Sequence, residues 1–125
     1  MDPSELRFDD NGLIPAVVFD TDTRKVLMVG YMNAEAVEQT LTSGVVTYWS
    51  RSRQKLWVKG ETSGHTQELQ WIRLDCDGDA LLIGVKQSVA ACHLGYFSCF
   101  FREYRDGEWV VVEERVFDPD ETYGG

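Results

Sequence analysis

The densest potential chemistry in this 125-residue chain lies in five consecutive residues, Asp75-Cys76-Asp77-Gly78-Asp79. Three carboxylates this close repel one another, and a bound divalent cation is the simplest remedy. In an extended strand Asp75, Asp77 and Asp79 would share one face, with the Cys76 thiol on the other. The ends of that run would then lie about 13 Å apart, too far to touch one ion. The chain must therefore curl, which Gly78 permits. An EF-hand is the obvious rival, but glycine stands at position four rather than six, and Lys86 rather than Glu occupies position twelve. A solvated acidic turn is the bland alternative.

The chain has three cysteines, Cys76, Cys92 and Cys99, an odd number unsuited to complete disulfide pairing. Spacing alone leaves packed, unpaired thiols and metal-ligating thiolates equally open. Two thiolates on one zinc must approach within about 4 Å of each other. On a helix, Cys92 and Cys99 would sit about 10 Å apart along the axis. Sharing an ion thus requires the intervening His93-Leu94-Gly95-Tyr96-Phe97-Ser98 stretch to turn back, and Gly95 is placed to allow it. Three protein ligands with an open fourth position are the mark of a catalytic zinc. His93 would point away from that metal in an extended chain, and so suits an acid/base or substrate contact better.

A third cluster, Ser50-Arg51-Ser52-Arg53-Gln54-Lys55 with Lys59 close behind, sets four cations against the single acid Glu61. Guanidinium forks and hydroxyls suit phosphate oxygens, although a solubilising turn has the same composition. The following Lys59-Gly60-Glu61-Thr62-Ser63-Gly64-His65 places a carboxylate, two hydroxyls and an imidazole in one glycine-flanked loop, a common make-up for a site loop.

The elements that must position these groups are short. Leu13 to Phe19 and Val26 to Met32 read as strands, with Pro15 favouring an edge for the first. Asn33 is a plausible N-cap for a helix over Ala34 to Thr42, and Gly44 is a natural stop. Further strands are expected over Val45 to Trp49, Leu56 to Val58, Gln67 to Leu74, Ala80 to Lys86 and Ser98 to Glu103. Arg105-Asp106-Gly107 signals a hairpin before a final apolar strand, and the acidic tail after Glu113 is expected to fray. The whole reads as one mainly β (α+β) domain over residues 1–125, barrel-like, with one helix and a core spanning about 13–112.

Bulk properties narrow the partners. A net charge of −9 argues against non-specific binding to nucleic acid or anionic lipid. No apolar run is long enough to span a membrane, and Met1 to Asp10 contains no signal-peptide core, so the cytoplasm is the expected compartment. A phosphorylated ligand would need a local basic patch to overcome the overall field.

Taken in order, LIPAVVFD, VLMVGYMN with Glu35-Ala36, YWSRSR-x-x-LW-x-KGETSGH-x-Q, DCD-x-DALL, Q-x-x-x-ACH-x-G and SCFF resemble the phosphoribosyl-AMP cyclohydrolases of histidine biosynthesis. The likeness runs from about Leu13 to Phe101. It implies hydrolysis of the N1–C6 bond of the adenine ring in 1-(5-phosphoribosyl)-AMP, and a β pseudo-barrel capped by a helix in an intertwined homodimer. It further implies zinc on Cys76, Cys92 and Cys99, with ligands drawn from both subunits, and magnesium on Asp75, Asp77 and Asp79. His93 and His65 would move protons, while Arg51, Arg53, Lys59 and Glu61 would contact substrate.

The chain departs from the family pattern at Val89 and Ala90, where Gly and Pro are usual, and at Leu94, where Thr is usual. A fused pyrophosphohydrolase is not expected, since little chain follows Val112. A zinc nucleobase deaminase would need H/C-x-E followed by P-C-x-x-C, and neither occurs. A non-catalytic descendant that keeps its metals for structure or binds a nucleotide is the rival from another class, and the altered loop at Val89 and Leu94 is what favours it.

Overall fold

A computed structural model describes residues 5–123. Strand β1 (Ile14–Asp20) alternates buried and half-buried positions, so Ile14, Ala16 and Val18 face one side while Pro15, Val17 and Phe19 face the other. It pairs antiparallel with β2 (Val26–Met32) and parallel with β6 (Leu81–Gln87), which pairs antiparallel with β5 (Gln67–Leu74). The sheet order is β2-β1-β6-β5. Two separate ribbons complete the strands: β3 (Thr47–Ser50) with β4 (Lys55–Val58), and β7 (Arg102–Arg105) with β8 (Glu108–Val111). The mainly β, α+β class matches the sequence reading. The four-stranded sheet stays open and does not close into a barrel among the described residues.

Helix α1 (Ala34–Ser43) starts where expected, because the Asn33 side chain accepts a hydrogen bond from the Ala36 N–H at 2.8 Å. It stops at Gly44, whose N–H reaches the Thr40 carbonyl. Its buried Ala36, Val37 and Thr40 join Ile14, Val18, Leu27, Met32, Ile83 and Val85 in the core. Each fully buried side chain of this size contributes roughly 1.5–3 kcal/mol. Tyr48 of β3, 1 % exposed, docks its ribbon onto the same core. That anchor fixes the basic β3–β4 turn relative to the sheet.

Three expectations fail. β1 is central rather than an edge; Pro15 is tolerated because pairing with β6 begins only at Ala16, leaving Pro15 opposite Tyr31 of β2 alone. No strand forms over Ser98–Phe101, and β7 begins at Arg102. There the Ser98 hydroxyl donates to the Val26 carbonyl at 2.7 Å and the Cys99 N–H to the Leu27 carbonyl at 2.7 Å, pinning a bent segment against β2. The tail after Glu113 is also held: Arg115 bridges to Tyr96, and a second helix, α2 (Pro119–Tyr123), follows. Among the described residues no helix is long and apolar enough to cross a membrane.

Candidate active site

The β3–β4 turn and the loop after β4 face each other across a cleft of about 420 Å³. Ser50, Ser52 and Arg53 line one side, Lys59, Glu61, Thr62 and Ser63 the other, with Trp57 as an apolar wall and His93 at the margin. Four expected site residues, Arg53, Lys59, Glu61 and His93, therefore converge here. Arg51 does not: its guanidinium lies 3.9 Å from the Tyr31 ring centroid, a cation–π contact that draws it away from the cleft lining. His65 does not line the cleft either; it is buried, with its edge-on ring 4.7 Å from Phe117 and its Nδ1 without a hydrogen-bond partner. Burial, and then the Lys59 charge, hold its imidazole below the usual pKa.

Lys59 links the cleft to the cysteines. It is buried, its Nζ donates to the Ala91 carbonyl at 2.6 Å, and it lies 5.2 Å from the Trp57 ring centroid. Burial pulls its pKa down, while Cys99 and then Cys92 pull it up. The Cys92–Cys99 segment folds back on itself as the spacing required. The Cys92 N–H reaches the Tyr96 carbonyl and the Gly95 N–H the Cys92 carbonyl, each at 3.2 Å, with Gly95 at φ 100. The thiols thereby come close enough to influence each other. Burial first, then neighbouring Cys92, push the Cys99 thiol up to about 11, against the attraction of Lys59. Two neighbouring thiols beside a cation, one of them held protonated by burial and by the other, are a donor set suited to a soft metal, which would favour the thiolate form.

Cys76 is not with them. It is exposed on the turn after β5, next to the carboxylates. That turn curls as required: Gly78 has φ 76, its N–H reaches the Asp75 carbonyl, and the Asp79 N–H reaches Asp75 Oδ1, both at 3.0 Å. One oxygen each from Asp75, Asp77 and Asp79 then lies within 4.8 Å of the others. The Asp79 carboxyl is pushed up by its hydrogen bond to Asp75 and by that neighbour's charge, the strain a divalent cation would relieve. Among the described residues no other trio of acidic, Cys or His ligand atoms comes together, so Cys76 does not join the Cys92–Cys99 pair within one chain.

Three contributors have no role in the sequence reading. Gln87 Nε2 spans the carbonyls of His65, Thr66, Ser88 and Ala90 at 3.0–3.4 Å, and Gln87 Oε1 accepts from Gln67 Nε2 at 2.8 Å. It ties the His65 loop to the segment that leads from β6 into Cys92. Gln67, 0 % exposed, could have been suspected, because it sits in phase with inward positions of its strand. Phe117 gave no signal, lying beside Val116 in an otherwise mostly acidic tail.

A cleft that concentrates cations and hydroxyls in an acidic protein, lined also by an imidazole and with paired thiols beside its Lys59, has the chemistry to take a small anionic molecule. The family model described as phosphoribosyl-AMP cyclohydrolase matches residues 28–101. A phosphoribosyl-AMP cyclohydrolase of Salinibacter ruber is 56 % identical over 93 % of this chain and 91 % of its own length. One from Chlorobaculum parvum is 52 % identical over 95 % and 88 %, and one from Pelotomaculum thermopropionicum 51 % identical over 98 % and 96 %. The chain belongs to the phosphoribosyl-AMP cyclohydrolase family, and is a hydrolase.

Proposed function

We propose that this protein opens the adenine ring of 1-(5-phosphoribosyl)-AMP at N1–C6 in cytoplasmic L-histidine biosynthesis, using water activated at a zinc site. The observation that carries the reading is the cleft where Arg53, Lys59 and His93 meet beside the Cys92–Cys99 pair. Water oxygen adds to C6, the N1–C6 bond breaks, and N1 takes a proton, leaving a carboxamide and a formimino group. His93 would pass that proton, a role supported by its presence in the cleft lining. Buried His65 would act from outside that lining, its Nδ1 free to hold one. Arg53 and Lys59 bind phosphate oxygens, with hydroxyls of Ser50, Ser52, Thr62 and Ser63 completing the cradle and Glu61 accepting from a ribose hydroxyl.

Cys92 and Cys99 would hold zinc together with Cys76 of the partner subunit in a homodimer. The support is that Cys76 lies apart from the pair that it would complete. Zinc there supplies Lewis acidity, lowering the pKa of the attacking water. Asp75, Asp77 and Asp79 would hold magnesium, whose charge offsets the phosphates.

The test follows ring opening of phosphoribosyl-AMP with and without a zinc chelator. Turnover is expected, with loss on chelation and recovery on adding zinc. No turnover by metal-replete protein sinks the activity, and full turnover by Cys92→Ala sinks the zinc assignment.

A further inference from the structure

The family match ends at residue 101, yet the chain beyond it returns to the site. Arg115 bridges to Tyr96, and the Val116 N–H donates to the Gly95 carbonyl at 2.7 Å. A side chain at Gly95 would place its Cβ 2.7 Å from the Phe117 carbonyl oxygen, so the two backbones lie flush. The Arg115 guanidinium sits 5.7 Å from the Tyr96 ring centroid, and Tyr96 stacks on Phe101 at 3.8 Å and 7°. Two residues beyond Arg115, Phe117 meets the His65 ring at 82° and 4.7 Å.

We infer that residues 115–117 form a strap that positions the active site, with Phe117 as a positioning residue that fixes the His65 imidazole. His65 is 8 % exposed and its Nδ1 makes no hydrogen bond, so no polar partner at that nitrogen sets the ring's orientation. The ring's orientation must come from packing, and Phe117 supplies an aromatic contact of the edge-to-face type that favours one orientation. The same segment closes the back of the Cys92–Cys99 turn through Gly95, so one strap holds the histidine and the thiol loop in register. A misplacement of an acid/base group by about 1 Å can cost roughly 100-fold in rate.

The inference rests on the proposed activity for its kinetic arm only. Phe117→Ala, Phe117→Leu and Phe117→Tyr are compared in the full-length protein with phosphoribosyl-AMP as substrate, alongside NMR of the imidazoles. The chain has two histidines, so a His65→Gln spectrum assigns both. Phe117→Ala is expected to lower kcat by about 10- to 100-fold, leave KM within about twofold and shift the His65 signals, with those of His93 as reference; Phe117→Tyr restores both. Should Phe117→Ala not fold, Phe117→Leu, which keeps the bulk and removes the ring, carries the same two readings. Unchanged kcat or unmoved His65 signals in a folded variant lacking the ring overturn the strap. If the parent protein shows no turnover, the activity fails, and the His65 shift alone decides the strap.

Discussion

Val89 has φ 58 at the centre of a three-residue turn, which the Ala90 N–H closes onto the Ser88 carbonyl at 2.8 Å. This is the strained, left-handed form of a γ-turn, and a β-branched residue in it loses roughly 1–2 kcal/mol that glycine would not. Glycine gives back about 0.5–1 kcal/mol through the freedom of the unfolded chain. The side chain is half exposed, so little packing is at stake. Val89→Gly is therefore expected to hold stability level or raise it by about 1 kcal/mol in urea unfolding, the opposite sign to most valine-to-glycine changes. A loss larger than that would show that the Val89 methyl groups pack more than their exposure suggests. The sequence reading expected glycine at this position, and the left-handed backbone found there is one that glycine adopts without strain. The curl of Asp75 to Asp79 and the turning back of Cys92 to Cys99 were legible too, since ligand reach dictates both. The diversion of Arg51 onto Tyr31 was not, because it depends on β2 running beside the β3–β4 ribbon.

Asp20 shows how one buried carboxylate joins elements. It ends β1 at 2 % exposure, accepts the Thr23 N–H and hydroxyl at 2.7 Å each, and accepts the Gln87 N–H at 3.1 Å where β6 gives way to the site loop. Desolvation would raise its pKa, but these hydrogen bonds outweigh it and hold the carboxyl below its ordinary 3.8. A lowered folded-state pKa means the stabilisation is fully present above the unfolded value and is lost as pH falls through the folded one. Asp20→Asn should cost about 1–3 kcal/mol at neutral pH, with the gap to the parent closing below pH 3.8 in denaturant titrations. A gap that stayed constant down to pH 2 would refute this role. Local rules made α1, β2 and β5 readable: a capping Asn33, a Gly44 stop and runs of strand length. They failed for Ser98–Phe101 and the tail, whose conformations are set by hydrogen bonds to Val26, Leu27 and Gly95, far away in sequence.

At the scale of the whole molecule, one chain does not account for all its exposed apolar surface. The β7–β8 ribbon carries Tyr104 and Trp109 at 63 % and 68 % exposure, with their rings 5.6 Å apart. A two-stranded ribbon is marginal by itself in water, and exposed aromatic side chains on it are what a covered surface would present. The proposed homodimer would offer a cover, and in it Cys76 of one subunit would meet the Cys92–Cys99 pair of the other. Sharing has a quantitative consequence under two-fold symmetry. Cys76→Ala and the Cys92→Ala/Cys99→Ala double variant should each be inactive alone. In a mixed dimer, one zinc site draws intact Cys76 from the double variant and intact Cys92 and Cys99 from the single variant, while the other site loses all three. Random exchange of equal amounts makes about half the dimers mixed, so about one quarter of parental activity should return. Mass-tagged subunits report the exchange independently of activity. If mixed dimers form and turnover stays at background, all three cysteines do not meet across the interface, and the pair beside Lys59 must take its remaining ligands from elsewhere.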